Sequence, residues 1–282
     1  MVENNTITEK SLSAYRAHLY SEERSSGTIE NYLRHVRVFA RWLGSRVIDK
    51  IVVSAWKQNL LTQGYAATTI NAMLAALHSY FHFRGWAHCR VRYLRVQRKL
   101  FRADDRALSR ADYHKLLRTA RARGWRQLAL VVETLGATGI RVSELSAITV
   151  EAVRRGRADI HLKGKIRTIL IPGKLCEKLL RFARAQKITR GEFFLTTGGQ
   201  SISRQKVWAE MKKLAGISDV APSKVFPHNL RHLFAIVFYE KCHDIARLAD
   251  MLGHSSIETT RIYLITPSSV CRQQIESLHL VE

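Results

Sequence analysis

Apolar positions in the N-terminal third of the chain recur with the period of a helix. Leu12, Tyr15 and Leu19 fall on one stripe, and after the polar break Ser25-Ser26-Gly27 the residues Ile29, Leu33, Val36, Phe39 and Leu43 continue at spacings of three and four, as one face of an amphipathic helix requires. A third helical segment is predicted near Ser54–Leu61, stopped at Gly64, and a fourth carries Ile70, Met73, Leu74, Leu77, Tyr80 and Phe81 on one side. Short helices joined by brief polar connections predict a compact bundle.

The pattern restarts at Ser109-Arg110-Ala111-Asp112, where a serine precedes a carboxylate by three positions. This spacing predicts a capping box that opens a new helix. Gln127–Leu135 is apolar enough for a buried helix, and Gly136 and Gly139 permit a tight turn that delivers Arg141. Asp159–Leu162 and Ile166–Ile171 are β-rich runs joined at Lys163-Gly164-Lys165, the pattern of a short hairpin. Helices are predicted around Val207–Leu214, Pro227–Glu240, Ile245–Met251 and Ser256–Leu264, with a final amphipathic piece near Ser269–Leu278 beyond the helix-breaking Pro267. The expected fold is therefore mainly α with a small β-sheet. The expected division is residues 1–88 as a helical domain, 89–106 as a basic linker and 107–282 as a second domain.

Charge narrows the class of partner. Lys and Arg number 46 against 23 Asp and Glu, a net charge of +23 over 282 residues, so a polyanion is the natural partner, although phosphate attraction supplies affinity without chemistry. Arg84, Arg90, Arg92, Arg95, Arg98, Lys99 and Arg102 follow one another without an acidic residue and with Trp86, Tyr93 and Phe101 interleaved. A charge run is commonly a solvated connector, but this single sign with aromatics favours phosphate contact. The cysteines Cys89, Cys176, Cys242 and Cys271 show no close pairing, and no apolar run follows a charged start, which predicts a reduced, cytoplasmic chain. No stretch approaches the roughly 18 consecutive apolar residues of a membrane span.

The candidate chemistry lies in the second half. Arg141 sits in Thr138-Gly139-Ile140-Arg141-Val142-Ser143-Glu144-Leu145, and His228-Asn229-Leu230-Arg231-His232 follows far downstream. Leu252-Gly253-His254-Ser255 then precedes Thr259-Thr260-Arg261-Ile262-Tyr263. Arginine offers a planar fork that matches phosphate oxygens and histidine moves protons near neutral pH, so the set suits an anionic phosphate attacked by a phenol. A metal reading of His228 and His232 is weak, because Asn229 stands where the glutamate of an H-E-x-x-H motif belongs and no further ligand pair lies at metal spacing. No metal and no cofactor are expected.

In order and spacing these boxes resemble the tyrosine recombinases, the integrase and Xer family of DNA-breaking and rejoining enzymes, strongly in the second domain and weakly in the first. The resemblance implies an N-terminal SAM-like domain that clamps DNA, and a catalytic domain in which Tyr263 is the nucleophile of a 3′-phosphotyrosyl intermediate. It further implies that Arg141 and Arg231 clamp phosphate, that His228 handles the nucleophile's proton, and that His254 donates to a non-bridging oxygen. Glu144 becomes an orienting acid and His232 a structural residue. A lysine in a Lys-Gly turn protonates the leaving oxygen, which here is Lys163, or Lys165 in another register; both could instead be phosphate contacts. The implied assembly is a homotetramer on two sites of double-stranded DNA, monomeric off DNA, with a partner recombinase as an option and the C-terminal tail docking on a neighbouring protomer. The role would be that of a mobile element's integrase or of Xer-type resolution. Two rivals share some features. A type IB topoisomerase has the same chemistry. A non-catalytic helix-turn-helix regulator would use Ile245–Thr260, but Thr259 falls where an apolar residue should pack and Arg141, Lys163 and Tyr263 would lack a purpose.

Overall fold

The computed structural model describes residues 6–96, 107–162, 165–264, 272 and 275–278, with the backbone alone for 161, 162 and 165. The chain divides into two compact units, Met1–Arg98 and Lys99–Glu282. The calls on Lys163, Arg98, Lys99, Arg102, the Lys165 side chain and most of the Ser269–Leu278 piece lie outside the described residues.

The first unit is the helical bundle that the stripes predict: α1 (Glu9–Ser21), α2 (Ser26–Leu43), α3 (Lys50–Thr62) and α4 (Ala67–Phe83). α3 begins four residues before the predicted segment because Asp49 caps it, its carboxylate accepting from the Val52 amide at 2.7 Å. The predicted apolar positions meet in one core, where Phe39 packs edge-on to Trp56 with ring centroids 4.9 Å apart. Chain beyond α4 stays with this unit. Cys89 and Val91 enter its core, and Asn71 holds Leu94 in both directions, donating to its carbonyl and accepting from its amide at 2.9 Å each.

The second unit opens with α5 (Arg110–Ala122), whose capping box closes both ways: Ser109 Oγ accepts from the Asp112 amide at 3.0 Å and Asp112 Oδ2 accepts from the Ser109 amide at 3.1 Å. α6 (Arg126–Thr138) is buried along most of its length, and α7 (Val150–Arg154) leads to the hairpin of β1 (Arg157–Leu162) and β2 (Lys165–Leu170). The strands pair antiparallel in the register Arg157↔Leu170 through Leu162↔Lys165. The sequence analysis did not predict α8 (Gly173–Ala185), which buries Leu175, Leu179 and Ala183 at intervals of four residues along one edge of a highly charged helix. α9 (Arg204–Ile217), α10 (Pro227–Cys242), α11 (Ile245–Leu252) and the short α12 (Ile257–Arg261) complete the unit, and a 3-10 turn, Ile262–Leu264, carries Tyr263. The fold is mainly α with one small two-stranded sheet among the described residues, as expected.

Candidate active site

Local structure explains how residues from four distant stretches meet. Gly139 caps α6 in the left-handed conformation (φ 64°), and a Cβ there would collide with the Phe234 ring, so glycine is required twice over. The next turn makes Arg141 the N-cap of a 3-10 segment, Val142–Ala147. Glu144 closes back on it, accepting from the Arg141 amide at 2.7 Å through Oε2 and from Arg141 Nη1 at 2.9 Å through Oε1. Glu144 is buried, whereas the Arg141 side chain keeps 36% of its surface. A buried carboxylate thus aims a half-open guanidinium.

On α10, His228, Arg231 and His232 stand at i, i+3 and i+4 and share a face. The helix starts at Pro227, which suits a first-turn position that needs no amide donor. Arg231 is 1% exposed, yet it carries a charge that burial and nearby Arg141 disfavour and Tyr263 favours. Two of its donors are met by backbone: Nη1 donates to the Gly139 carbonyl and Nη2 to the Leu252 carbonyl, each at 2.6 Å. Its Nε finds no hydrogen-bond acceptor among the described residues. An unmet donor on a buried cation is costly in a resting core and useful in an anion site.

His254 follows Gly253, the left-handed cap of α11 (φ 65°). Its Nε2 lies 3.0 Å from Arg231 Nη2 and its Nδ1 lies 2.8 Å from Thr260 Oγ1. A guanidinium only donates, so in this arrangement Nε2 accepts and Nδ1 carries the proton toward Thr260. The Thr260 hydroxyl can reverse its role, which leaves Nε2 free to donate once an anion engages Arg231. Burial first, then Arg231, Arg141, Arg167 and His228, push the imidazole pKa down to about 4, so the ring is neutral at physiological pH.

Tyr263 is 6% exposed and sits among three imidazoles. Its ring stacks on His254 (5.4 Å, 20°) and is tilted against His232 (5.4 Å, 31°) and His228 (5.5 Å, 51°). The hydroxyl lies 3.4 Å from His228 Nε2, a long contact that one small adjustment would tighten. His232 therefore packs against the phenol, a contact that its sequence position did not reveal. Arg167, on β2, is also part of this centre: its Nη2 donates to Glu144 Oε2 at 2.7 Å.

Arg141, His228, Arg231, His254 and Tyr263 thus come together in the second unit. The basic residues Arg84, Arg90, Arg92 and Arg95 are exposed on the first unit; Arg84 lies over the Trp86 ring at 4.7 Å and Arg90 donates to the His78 carbonyl at 3.4 Å. No group of three or more His, Cys, Asp or Glu among the described residues could hold a metal ion, and none of the described helices is long and apolar enough to cross a membrane. A cavity of about 780 Å³ lies elsewhere, between Trp125, Phe182, Phe193 and Lys206, and none of the five converging residues lines it.

Both units resemble known proteins. A family model described as phage integrase family matches residues 106–266, and one described as phage integrase, N-terminal SAM-like domain, matches 12–88. The chain is 28% identical to the tyrosine recombinase XerA of Thermococcus kodakarensis, over 100% of this chain and 98% of that protein. It is 31% identical to the tyrosine recombinase XerC of Roseiflexus castenholzii, over 89% of this chain and 87% of that one. Its fold is similar to that of a lambda integrase tetramer bound to a Holliday junction, with a TM-score of 0.72 at 19% identity, covering 92% of this chain and 78% of the integrase.

Proposed function

This chain belongs to the phage integrase family, the tyrosine recombinases, and we propose that it cuts and rejoins DNA at specific sites through a 3′-phosphotyrosyl bond formed on Tyr263. The observation that carries the reading is the Tyr263 hydroxyl, directed at His228 in a centre that also holds Arg141, Arg231 and His254. As Oη attacks phosphorus, His228 takes its proton, and the P–O5′ bond breaks. Arg141 and Arg231, with His254 donating from Nε2, offset the charge gathering on the non-bridging oxygens, where fixed donors act most strongly. Lys163, or Lys165 in the other register, supplies the proton to the leaving 5′-oxygen. A 5′-hydroxyl from another strand reverses the steps and releases the tyrosine, so the bond energy is conserved and no ATP is consumed.

The partner is double-stranded DNA, drawn by the net charge of +23, with Arg84, Arg90, Arg92, Arg95, Arg98, Lys99 and Lys165 as phosphate contacts. Four protomers, monomeric when free, assemble cyclically on two sites, alone or with a partner recombinase. Unpaired thiols at Cys89, Cys176 and Cys242 suit a reducing cytoplasm. The full-length likeness to XerA favours strand exchange over relaxation by a topoisomerase-like monomer, and the placement of Tyr263 among three histidines has no use in a non-catalytic regulator.

A suicide duplex nicked beside the cleavage point tests the reading. In chelator it should trap a covalent protein–DNA species, whereas Tyr263→Phe should bind the DNA and trap nothing. Trapping by Tyr263→Phe, or a requirement for divalent metal, would remove Tyr263 or the metal-free mechanism. With sulfur replacing the bridging 5′-oxygen, selective rescue of Lys163→Ala rather than Lys165→Ala identifies the general acid.

A further inference from the structure

Arg167 shares the inward face of β2 with Ile169, in line with buried Ile171, while Ile166, Thr168 and Leu170 are exposed. A cation at such a position is costly unless its donors are met. Its side chain is 13% exposed, with Nη2 donating to Glu144 Oε2 at 2.7 Å and Nη1 to the Met251 carbonyl at 3.2 Å.

Both acceptors belong to parts that aim the site. Glu144 grips Arg141 with its other oxygen, so one buried carboxylate is shared by two guanidiniums. Met251 lies in the last turn of α11, just ahead of Gly253 and His254. Arg167 packs so closely on that turn that a Cβ at Gly253 would meet its Cδ at 2.6 Å and its Nη1 at 2.9 Å. Arg231 takes the adjacent Leu252 carbonyl. Arginines from β2 and α10 thereby donate to two of the carbonyls that the end of α11 leaves unpaired, where cations are favoured.

We propose that Arg167 is a positioning residue for strand cleavage, joining Glu144 to the α11–Gly253 turn so that Arg141 and His254 address the same phosphate. The inference rests on the recombinase reading of the site. Its two bonds run to Glu144 and Met251, so it holds the groups that aim Arg141 and His254, beside the direct effect of its charge on His254.

The experiment measures single-turnover cleavage at saturating DNA, with DNA affinity and thermal melting alongside, for the full chain and for Arg167→Ala and Arg167→Lys. Two suicide duplexes are used, one with an ordinary scissile phosphate and one with a neutral methylphosphonate there, which develops less negative charge and so needs less from aligned cations. Arg167→Ala should cleave the phosphate about 100-fold more slowly with affinity within about threefold, and Arg167→Lys should recover part of the rate because it keeps the charge beside Glu144. On the methylphosphonate the deficit should shrink to within about threefold. An equal loss on both substrates would reduce Arg167 to a structural residue, and wild-type rates in Arg167→Ala would end the proposal outright. Should Arg167→Ala fail to fold, Arg167→Lys on the two substrates makes the same distinction. A wild-type chain that traps no DNA overturns the recombinase reading and this inference with it, an outcome visible before any Arg167 variant is compared.

Discussion

The core of the first unit is apolar, aliphatic side chains packed around the rings of Tyr15, Phe39, Trp56, Tyr80, Phe81 and Trp86, with Ser11 and His78 as its buried polar residues among those described. The second unit buries Glu144, Asn229, Arg231, His232 and Thr260 along with its aliphatic side chains and the rings of Phe193, Phe194 and Tyr263. Stability does not explain that difference, because a buried ion pair contributes little over well-packed apolar residues, and losing one partner costs several kcal/mol. On the proposed reading, what the charged core provides is fixed geometry around the scissile phosphate. Buried charge therefore gathers in the second unit, around the centre that also buries the Tyr263 ring, while the buried rings of the first unit only hold shape.

The sharpest way to break this comparison is through the two arginines. Alanine at Arg141 or Arg231 should each slow single-turnover cleavage by at least about 100-fold, with DNA affinity changed far less. Their stabilities should diverge. Arg141 is partly exposed, and Glu144 retains Arg167 when it is gone, so Arg141→Ala should cost no more than about 1 kcal/mol. Arg231→Ala strands the Gly139 and Leu252 carbonyls and should cost about 3 kcal/mol or more in denaturant unfolding. Equal losses of binding and cleavage would make both arginines simple phosphate anchors.

Phe39→Ala makes the opposite test. Its ring is fully buried against Trp56 and Phe81, so truncation should cost about 3–5 kcal/mol. At saturating DNA and a temperature where the variant is folded, its cleavage rate should stay within about threefold of wild type. A rate collapse in the folded variant would show that the first unit shapes the chemistry and not the shape alone.

The smallest effect is a pH slope. His254 titrates near 4 when folded, against about 6.5 for a free imidazole. The unfolded chain therefore binds the proton first, so this residue's contribution is complete above about 6.5 and is lost as pH falls toward 4. His35 and His78 are lowered too, mainly by burial, and give the first unit a slope of the same sign. Denaturant titrations at several pH values should show His254→Gln with a shallower acid limb and the remaining slope intact. An unchanged limb would place His254 in a wetter setting than its contacts indicate.

Much of this was legible in the linear order because it depends on local rules. The stripes of Leu12, Leu33 and Leu74, the Ser109–Asp112 box and the hairpin follow from periodicity and capping, which are properties of neighbours. The motif residues Arg141, His228, Arg231, His254 and Tyr263 were legible through resemblance, since nothing in periodicity brings residue 141 to residue 231. α8 escaped because a strip of Leu175, Leu179 and Ala183 is narrow among many charges. Arg167 escaped although a signal was present: it occupies an inward position of an alternating strand, in phase with Ile169 and Ile171. A charge in phase with a core face asks for a buried partner, and that partner, Glu144, lies 23 positions away. The ring contact of His232 with Tyr263 spans 31 positions and had no local sign at all.

Thr260 ties this arrangement together in one further way. It belongs to α12, directly ahead of the turn that bears Tyr263, and its hydroxyl meets the His254 ring. The proposed nucleophile and a hydrogen-bond partner of His254 are thus mounted on the same short piece of chain. Any displacement of this piece would move the Tyr263 ring and stretch the Thr260–His254 bond together, so phenol and imidazole are mechanically coupled through the chain that runs from α12 into the turn.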